Sequence, residues 1–305
     1  MCESLKISRC IFYYKIKFKT IDSELENTIV RIFNENRKVY GTRRIKKELE
    51  KIKDENQAIK FIISRKSISK VMKKHQIMSK YTELQYKKHG GKTNYAEVGN
   101  IVDRKFNNRK NLEVLVSDLT YVRVANSWHY ICFITNLYNR AIVGFAVGKN
   151  KDSQLVYQAF MNSKINLSRV GIFHTDRGSE FKNTQIDELL SAFKIKRSLS
   201  RKGNPWDNAV AEALYKILKT EFVSNKIFSS KYQLERELTD YINWYNKKRL
   251  HSSLGYVPPL DYVLSEDMKH EDFLYEKGLP FHSPYPLFLR HLYHLCYTLF
   301  YAYQA

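Results

Sequence analysis

Residues 113–124, EVLVSDLTYVRV, decide how this chain is read. Val, Leu, Thr and Tyr crowd the stretch, as in a strand that packs into a core. One carboxylate, Asp118, stands in its middle, and a charge inside an apolar strand is costly unless it is paired or binds a metal. Outward from it, His129–Tyr138 and Ala141–Gly148 read as two more strands, separated by short turns, so the three predict an antiparallel meander. Beyond them, 153–165 reads as a helix, Val170–Thr175 as a short buried strand, 184–193 as a helix and Ile195–Leu199 as a strand. A further helix is predicted to start at a cap on Asp207 or Asn208 and to run to about Val223. Three strands followed by alternating helix and strand predict an α/β domain with a mixed central sheet.

That order is the order of the RNase H-like fold. Upstream, 84–111 is polar and basic with Gly90-Gly91 in its midst, and reads as a linker. Before it, 22–36 and 42–53 carry apolar residues at helical spacing, and Ser67 is placed to cap a third helix bearing Ile68, Val71 and Met72. Three basic helices with narrow stripes fit a helix-turn-helix unit or a plain three-helix domain. Charge weighs toward the first. The chain has 305 residues and a net charge of +21. Residues 1–110 carry +16 of it and 111–305 only +5. Such a surplus points to a polyanion, most often nucleic acid.

Other classes are excluded. With 43% hydrophobic residues the chain is not wholly disordered. Cys2, Cys10, Cys132 and Cys296 have neither zinc-site spacing nor a disulfide pattern, so reduced thiols of a cytoplasmic protein are expected. No signal peptide opens the chain. The most apolar stretch, 286–303, contains Arg290, His291 and His294 and falls short of a membrane span.

Two more acids stand at telling places. Asp176 follows Ile172-Phe173 in HTDRGSEF (174–181), at the end of a strand, where α/β sheets place ligands. Glu212 lies in the first turns of the next helix, with 35 residues between it and Asp176. Singly, Asp118 could be a satisfied core acid, Asp176 a turn residue and Glu212 a solvated helix residue. Together they supply the carboxylate oxygens that hard divalent cations need. Two such ions, roughly 3.5–4 Å apart, can activate one oxygen and stabilise another in phosphodiester chemistry.

The stretches SDLTYV (117–122), HTDRGSEF (174–181), SRKGNPWDNAVAE (200–212) and WYNKKRLHSSLGY (244–256), then Pro258-Pro259, resemble the catalytic subunit of bacterial insertion-sequence transposases, in the retroviral-integrase superfamily. The resemblance covers roughly 1–264. It implies an RNase H-like integrase catalytic core behind an amino-terminal helix-turn-helix-like region, with Asp118, Asp176 and Glu212 as catalytic triad and ligands of two Mg²⁺ or Mn²⁺ ions. It implies DNA strand cleavage and strand transfer on transposon ends and target DNA, by a homo-oligomer joined by an upstream-frame protein or fused to it. It puts the chain in the cytoplasm on the nucleoid, with no membrane.

Expected DNA contacts are Arg43 and Arg44 in YGTRRI (40–45), Arg201, Lys202, Trp206, Lys216, Lys219 and Arg249; the lysines could equally be surface residues, Trp206 could staple its helix, and Arg249 could cap local structure. His174 could tune the site or simply pack. The expected layout is a basic DNA-binding region over 1–83, the linker over 84–111, the core over 112–223, a basic helical extension over 224–264 and an atypical tail over 265–305. Leu115 replaces the family's usual Trp, a packing change. Two other readings stay open: a catalytically inactive DNA-binding relic or repressor, and a lone RNase H-like nuclease, which would not need the helical arm.

Overall fold

Three short helices lead the described chain: α1 (Ser23–Glu35), α2 (Thr42–Leu49) and α3 (Arg65–Lys74). Each buries a narrow stripe: Ile29, Ile32 and Phe33; Ile45 and Leu49; Ile68, Val71 and Met72. Asp22 caps α1 by accepting from the Glu24 N–H. The cap of α3 is Ser64, which accepts from the Ser67 N–H at 3.1 Å, so Ser67 is not the cap but lies in the first turn. The computed structural model describes residues 22–55, 57–82, 99–107, 109–181, 183–224 and 226–263. The expected tail over 265–305, residues 1–21 and most of the expected linker lie outside the described residues.

The core is built on β1 (Val114–Val124), which pairs antiparallel with β2 (Ser127–Asn136), which pairs antiparallel with β3 (Ile142–Gly148). The predicted meander is therefore present. Helix α4 (Ser153–Met161) follows, then β4 (Ile172–Thr175), α5 (Thr184–Ala192) and β5 (Lys196–Leu199). β4 pairs parallel with both β1 and β5, giving the order β3-β2-β1-β4-β5 and the mixed sheet of an RNase H-like core.

Strand alternation sorts side chains to two faces. Leu115, Cys132, Ile134 and Ala146 meet Leu155, Phe160, Ile186 and Leu190 of α4 and α5. Leu115 is fully buried there. On the opposite face, Val122, Val124, Ile131 and Phe133 meet α6 (Ala209–Leu218) and α7 (Lys231–Lys247). The stripes of α1, α2 and α3 belong to this second core, together with Leu238, Tyr241 and Tyr245 of α7. Arm, catalytic sheet and carboxyl-terminal extension thus share one apolar interior.

The expected linker is not one throughout. The Leu199 N–H donates to the Gly99 carbonyl at 3.2 Å, and the Ile101 N–H to the Ser198 hydroxyl at 2.9 Å. Val102 is fully buried against Val114, Val116 and Ala211. Residues 99–107 run along the β5 edge as part of the core.

Candidate active site

The site forms where two strands part. β1 and β4 are in register only from Val114–Ile172 to Val116–His174. β4 ends at Thr175 and β1 runs on to Val124, so one edge of β1 opens from Ser117 until Val124 is bridged in parallel by Phe228. Asp118 lies just past the parting on β1, and Asp176 just past the end of β4. This is the junction between the parallel and antiparallel halves of the sheet, the position at which α/β sheets bind ligands. Each acid is held by a local amide: Leu119 N–H donates to Asp118 Oδ1 at 2.7 Å and Gly178 N–H to Asp176 Oδ1 at 2.9 Å. Glu212, exposed on the first turns of α6, completes the wall. Asp118, Glu212, Lys216 and Lys219 line a groove of about 300 Å³.

The charges are unbalanced. Burial pushes the Asp118 carboxyl up to about 7, and the charges of Asp176, Glu180 and Glu212 add to the push. Asp176 is raised by burial and by Glu180, and Glu212 by burial and by Asp176. Glu180 is a fourth carboxylate that the sequence reading passed over. It is buried and folds back beneath Gly178, where a Cβ would press on the Glu180 carboxylate. Lys151 pairs with Glu180 at 2.9 Å. Among the described residues, no three His, Cys, Asp or Glu side chains stand together closely enough to hold an ion as they are. Like charges in a half-buried cleft repel, and Coulomb repulsion favours this spread until a cation offsets it.

Helix α6 is aimed by a neutral histidine. His174 is fully buried in β4, and burial holds its imidazole below the usual range. Its Nε2 donates to the Asp207 carbonyl at 3.0 Å, and Nδ1 accepts from the Ser198 hydroxyl at 2.9 Å. Asp207 does not cap the helix as predicted. Its buried carboxylate takes Arg104 Nε at 2.6 Å, Arg201 Nε at 2.9 Å and the Arg201 N–H at 3.0 Å. Nor does the Asn208 side chain cap α6. His174 thus packs inside the fold and ties β4 to the turn that leads into α6. Tyr215, one turn after Glu212, adds a second tie: its hydroxyl accepts from the Phe133 N–H at 2.9 Å and donates to the Asp118 carbonyl.

Comparison with known proteins agrees with this geometry. Residues 108–205 and 193–259 match two family models described as integrase core domain, and 20–83 match an HTH-like domain. The transposase for insertion sequence element IS904 of Lactococcus lactis is 30% identical over 241 residues, 78% of this chain and 92% of that protein. This chain belongs to the insertion-sequence transposases. The putative transposase InsK for IS150 of Escherichia coli is 27% identical over 86% of this chain and 92% of its own length. Among solved structures, the HTLV-2 integrase catalytic core domain in complex with magnesium is similar at a TM-score of 0.36 and 14% identity, over 46% of this chain and 88% of that one. A transposase of this family is a polynucleotidyl transferase.

The residues expected on DNA divide into two groups. Arg43, Lys202, Trp206, Lys216 and Lys219 are exposed. Arg201 is half-exposed and holds Asp207 and Asp103. Arg249 is a correction. It is 1% exposed and grips Glu221 through Nε at 2.9 Å and Nη2 at 2.7 Å, so its guanidinium is turned from solvent. Arg44 also turns inward, 3.9 Å from Glu221 and over the rings of Tyr40 and Tyr81. Glu221 lies in the π-helical turn Lys219–Val223 that ends α6, not in the plain helix the sequence predicted. Tyr81 and Tyr241 donate their hydroxyls to it as well, at 2.5 and 2.9 Å. Burial alone would raise Glu221, but Arg249, Tyr81 and Arg44 hold it below the ordinary range. No sequence signal separated Glu221 from a surface acid.

Proposed function

We propose that Asp118, Asp176 and Glu212 are the catalytic carboxylates of this transposase and the ligands of two Mg²⁺ or Mn²⁺ ions. The observation that carries this is the raised carboxyl of all three, each pushed by burial and by its neighbours at the fork of β1 and β4. An acid cluster that repels itself is poised for hard cations, and its donors are all oxygen. When bound, the metal supplies Lewis-acid stabilisation of the attacking and leaving oxygens.

The protein's own residues do the rest. Asp118 and Asp176 stay fixed by the strands and amides that hold them. Glu212 rides on α6 and closes by the small movement that an exposed helix-borne side chain permits. Lys216 and Lys219 stand four and seven positions after Glu212, on one helix face. They offer cations to the phosphate entering the groove, while Lys151 holds Glu180 aside. Water attacks one phosphorus and the 3′-oxygen leaves as a hydroxyl; that hydroxyl then attacks a second phosphodiester, whose own 3′-oxygen departs as the new bond forms; no covalent link to the protein is needed. Arg43, Lys202 and Trp206 extend the contact along the duplex.

The HTH-like region supports binding to the transposon ends. We place the reaction in a homo-oligomer on DNA, joined by the upstream-frame protein or fused to it, and acting on the nucleoid. No helix among the described residues is long and apolar enough to cross a membrane. The test is cleavage of the element's end DNA with Mg²⁺, by the chain and by its fusion to the upstream frame, alongside calorimetric titration of Mn²⁺ into the parent and Asp118→Asn. A variant that binds Mn²⁺ and cuts like the parent would remove Asp118 from the site.

A further inference from the structure

Beside the acid groove, the far end of the β1–β2 hairpin presents a half-exposed aromatic face. Register places Arg123 opposite Trp128 and Tyr121 opposite Tyr130, so the four side chains share one face. Tyr121 is 41% exposed and Trp128 50%. Their rings meet edge to face with centroids 5.2 Å apart. Each carries a cation: Lys219 Nζ lies 4.7 Å from the Tyr121 ring centre and the Arg123 guanidinium 5.9 Å from that of Trp128. Lys219 also lines the groove with Asp118 and Glu212, so the aromatic face and the acids are joined by one side chain.

We propose that Tyr121 and Trp128 form a stacking platform for an unpaired base of the DNA strand that leaves the acid groove. This rests on the reading of that groove as the cleavage site. The two half-exposed rings meet side by side rather than singly, and together they give an apolar surface next to the groove. The cations select the partner. Lysine and arginine on ring faces are ready phosphate ligands, and their transfer to a backbone phosphate uncovers the ring for a base. An intact duplex keeps its base faces covered, so the platform selects a strand opened beside the scissile phosphate. The rings discriminate by shape, not by hydrogen bonding, so any base is accepted, purines best.

The experiment uses the full chain with Trp206→Phe throughout, so that exposed-tryptophan fluorescence reports Trp128; Trp244 is buried. The probes are a DNA duplex with a short single-stranded extension and a fully paired duplex of equal length. The tailed probe is expected to quench fluorescence and to bind more tightly. Tyr121→Ala and Trp128→Ala should each weaken the tailed probe by about 5- to 150-fold, the range of one lost base–aromatic stack, and leave the paired probe within about twofold. Trp128→Phe, which keeps a ring, should retain most of the preference and answers any loss of folding.

Equal binding of the two probes by the parent, or an unchanged preference in Trp128→Ala, overturns the platform. So does a change in oligomeric state with DNA binding unaltered, which would make the patch a protein contact. Asp118→Asn separates the two readings: cleavage by that variant removes the groove assignment, whereas a dead variant that still prefers the tailed probe leaves the platform standing.

Discussion

Two carboxylates nine positions apart on one continuous helical segment, Glu212 and Glu221, meet opposite surroundings. Around Glu212, carboxylates outnumber their cations, and burial with like charge raises Asp118, Asp176 and Glu212 together. Around Glu221, Arg249, Arg44, Tyr81 and Tyr241 converge on a single buried acid and hold it ionised. The first cluster is left in deficit of positive charge, as the proposed metal site requires. The second is complete, and the partners that close it around Glu221, at the end of α6, come from the arm and the extension. Charge that is not neutralised internally marks function; charge that is neutralised marks assembly.

The largest expected effect breaks the first cluster. Asp118→Asn should lower strand cleavage by about 10⁴-fold or more, the scale on which single catalytic residues act. The same change removes a charge from a self-repelling group, so the thermal midpoint of the metal-free protein should stay level or rise. A fall in that midpoint would show that Asp118 contributes to the fold as Glu221 does.

The next effect breaks the second cluster. Arg249→Ala leaves Glu221 buried without its main partner, which costs about 3–5 kcal/mol. Urea unfolding would measure it. The paired change Glu221→Gln with Arg249→Gln should recover more than half of the loss, because no lone charge remains. If Arg249→Ala instead unfolds like the parent and weakens DNA binding, the arginine reaches DNA after all.

Acidity sets the two apart again. The Asp118 carboxyl sits near 7, so a proton must leave before the site takes a cation. Mn²⁺ affinity should rise about tenfold per pH unit below 7 and level off above it, since one proton is released per site. In the metal-free protein, the folded state holds this proton where the unfolded chain has lost it, so Asp118 makes stability fall as pH rises from the ordinary carboxylate range to 7. Glu221 has the opposite sign: its lowered carboxyl adds stability above the ordinary range, lost as pH falls through its folded value. A calorimetric pH series on Asp118→Asn and on the parent would resolve them; a flat Mn²⁺ profile between pH 5.5 and roughly 7 would remove Asp118 as the titrating ligand.

Much of the first cluster was legible in the sequence and little of the second. Asp118 stood out because a charge inside EVLVSDLTYVRV contradicts its neighbours, and the strands around it announce themselves by β-branched residues. Asp176 and Glu212 followed from their spacing and motifs. Glu180 did not, since its direction depends on a fold-back beneath Gly178 that no local pattern announces. Asp207 was misread as a cap because capping chemistry is local, whereas the carboxylate is claimed by Arg104 from far upstream and by Arg201. Arg249 was misread because a basic run looks solvated, and its partner Glu221 shares no pattern with it. Long-range ion pairs leave no periodic trace.

The smallest expected effect distinguishes exposed from buried arginines on DNA. Because α1, α2 and α3 share their core with α7, deleting the arm would strip apolar surface as well as charge, so point changes give the cleaner comparison. Arg43 is exposed at the start of α2, and its neighbour Arg44 turns toward Glu221. One phosphate contact contributes about −0.9 to the slope of log affinity against log salt on duplex DNA. Arg43→Gln should therefore flatten the slope by about one unit and weaken binding severalfold at low salt. Arg44→Gln should leave the slope unchanged and lower stability modestly, since Arg249 remains on Glu221. A salt titration of the three proteins decides it. Equal slopes would place Arg43 off the duplex; a flattened slope for Arg44 would mean that its guanidinium leaves Glu221 when DNA arrives, and that the cluster around Glu221 senses the duplex through the arm.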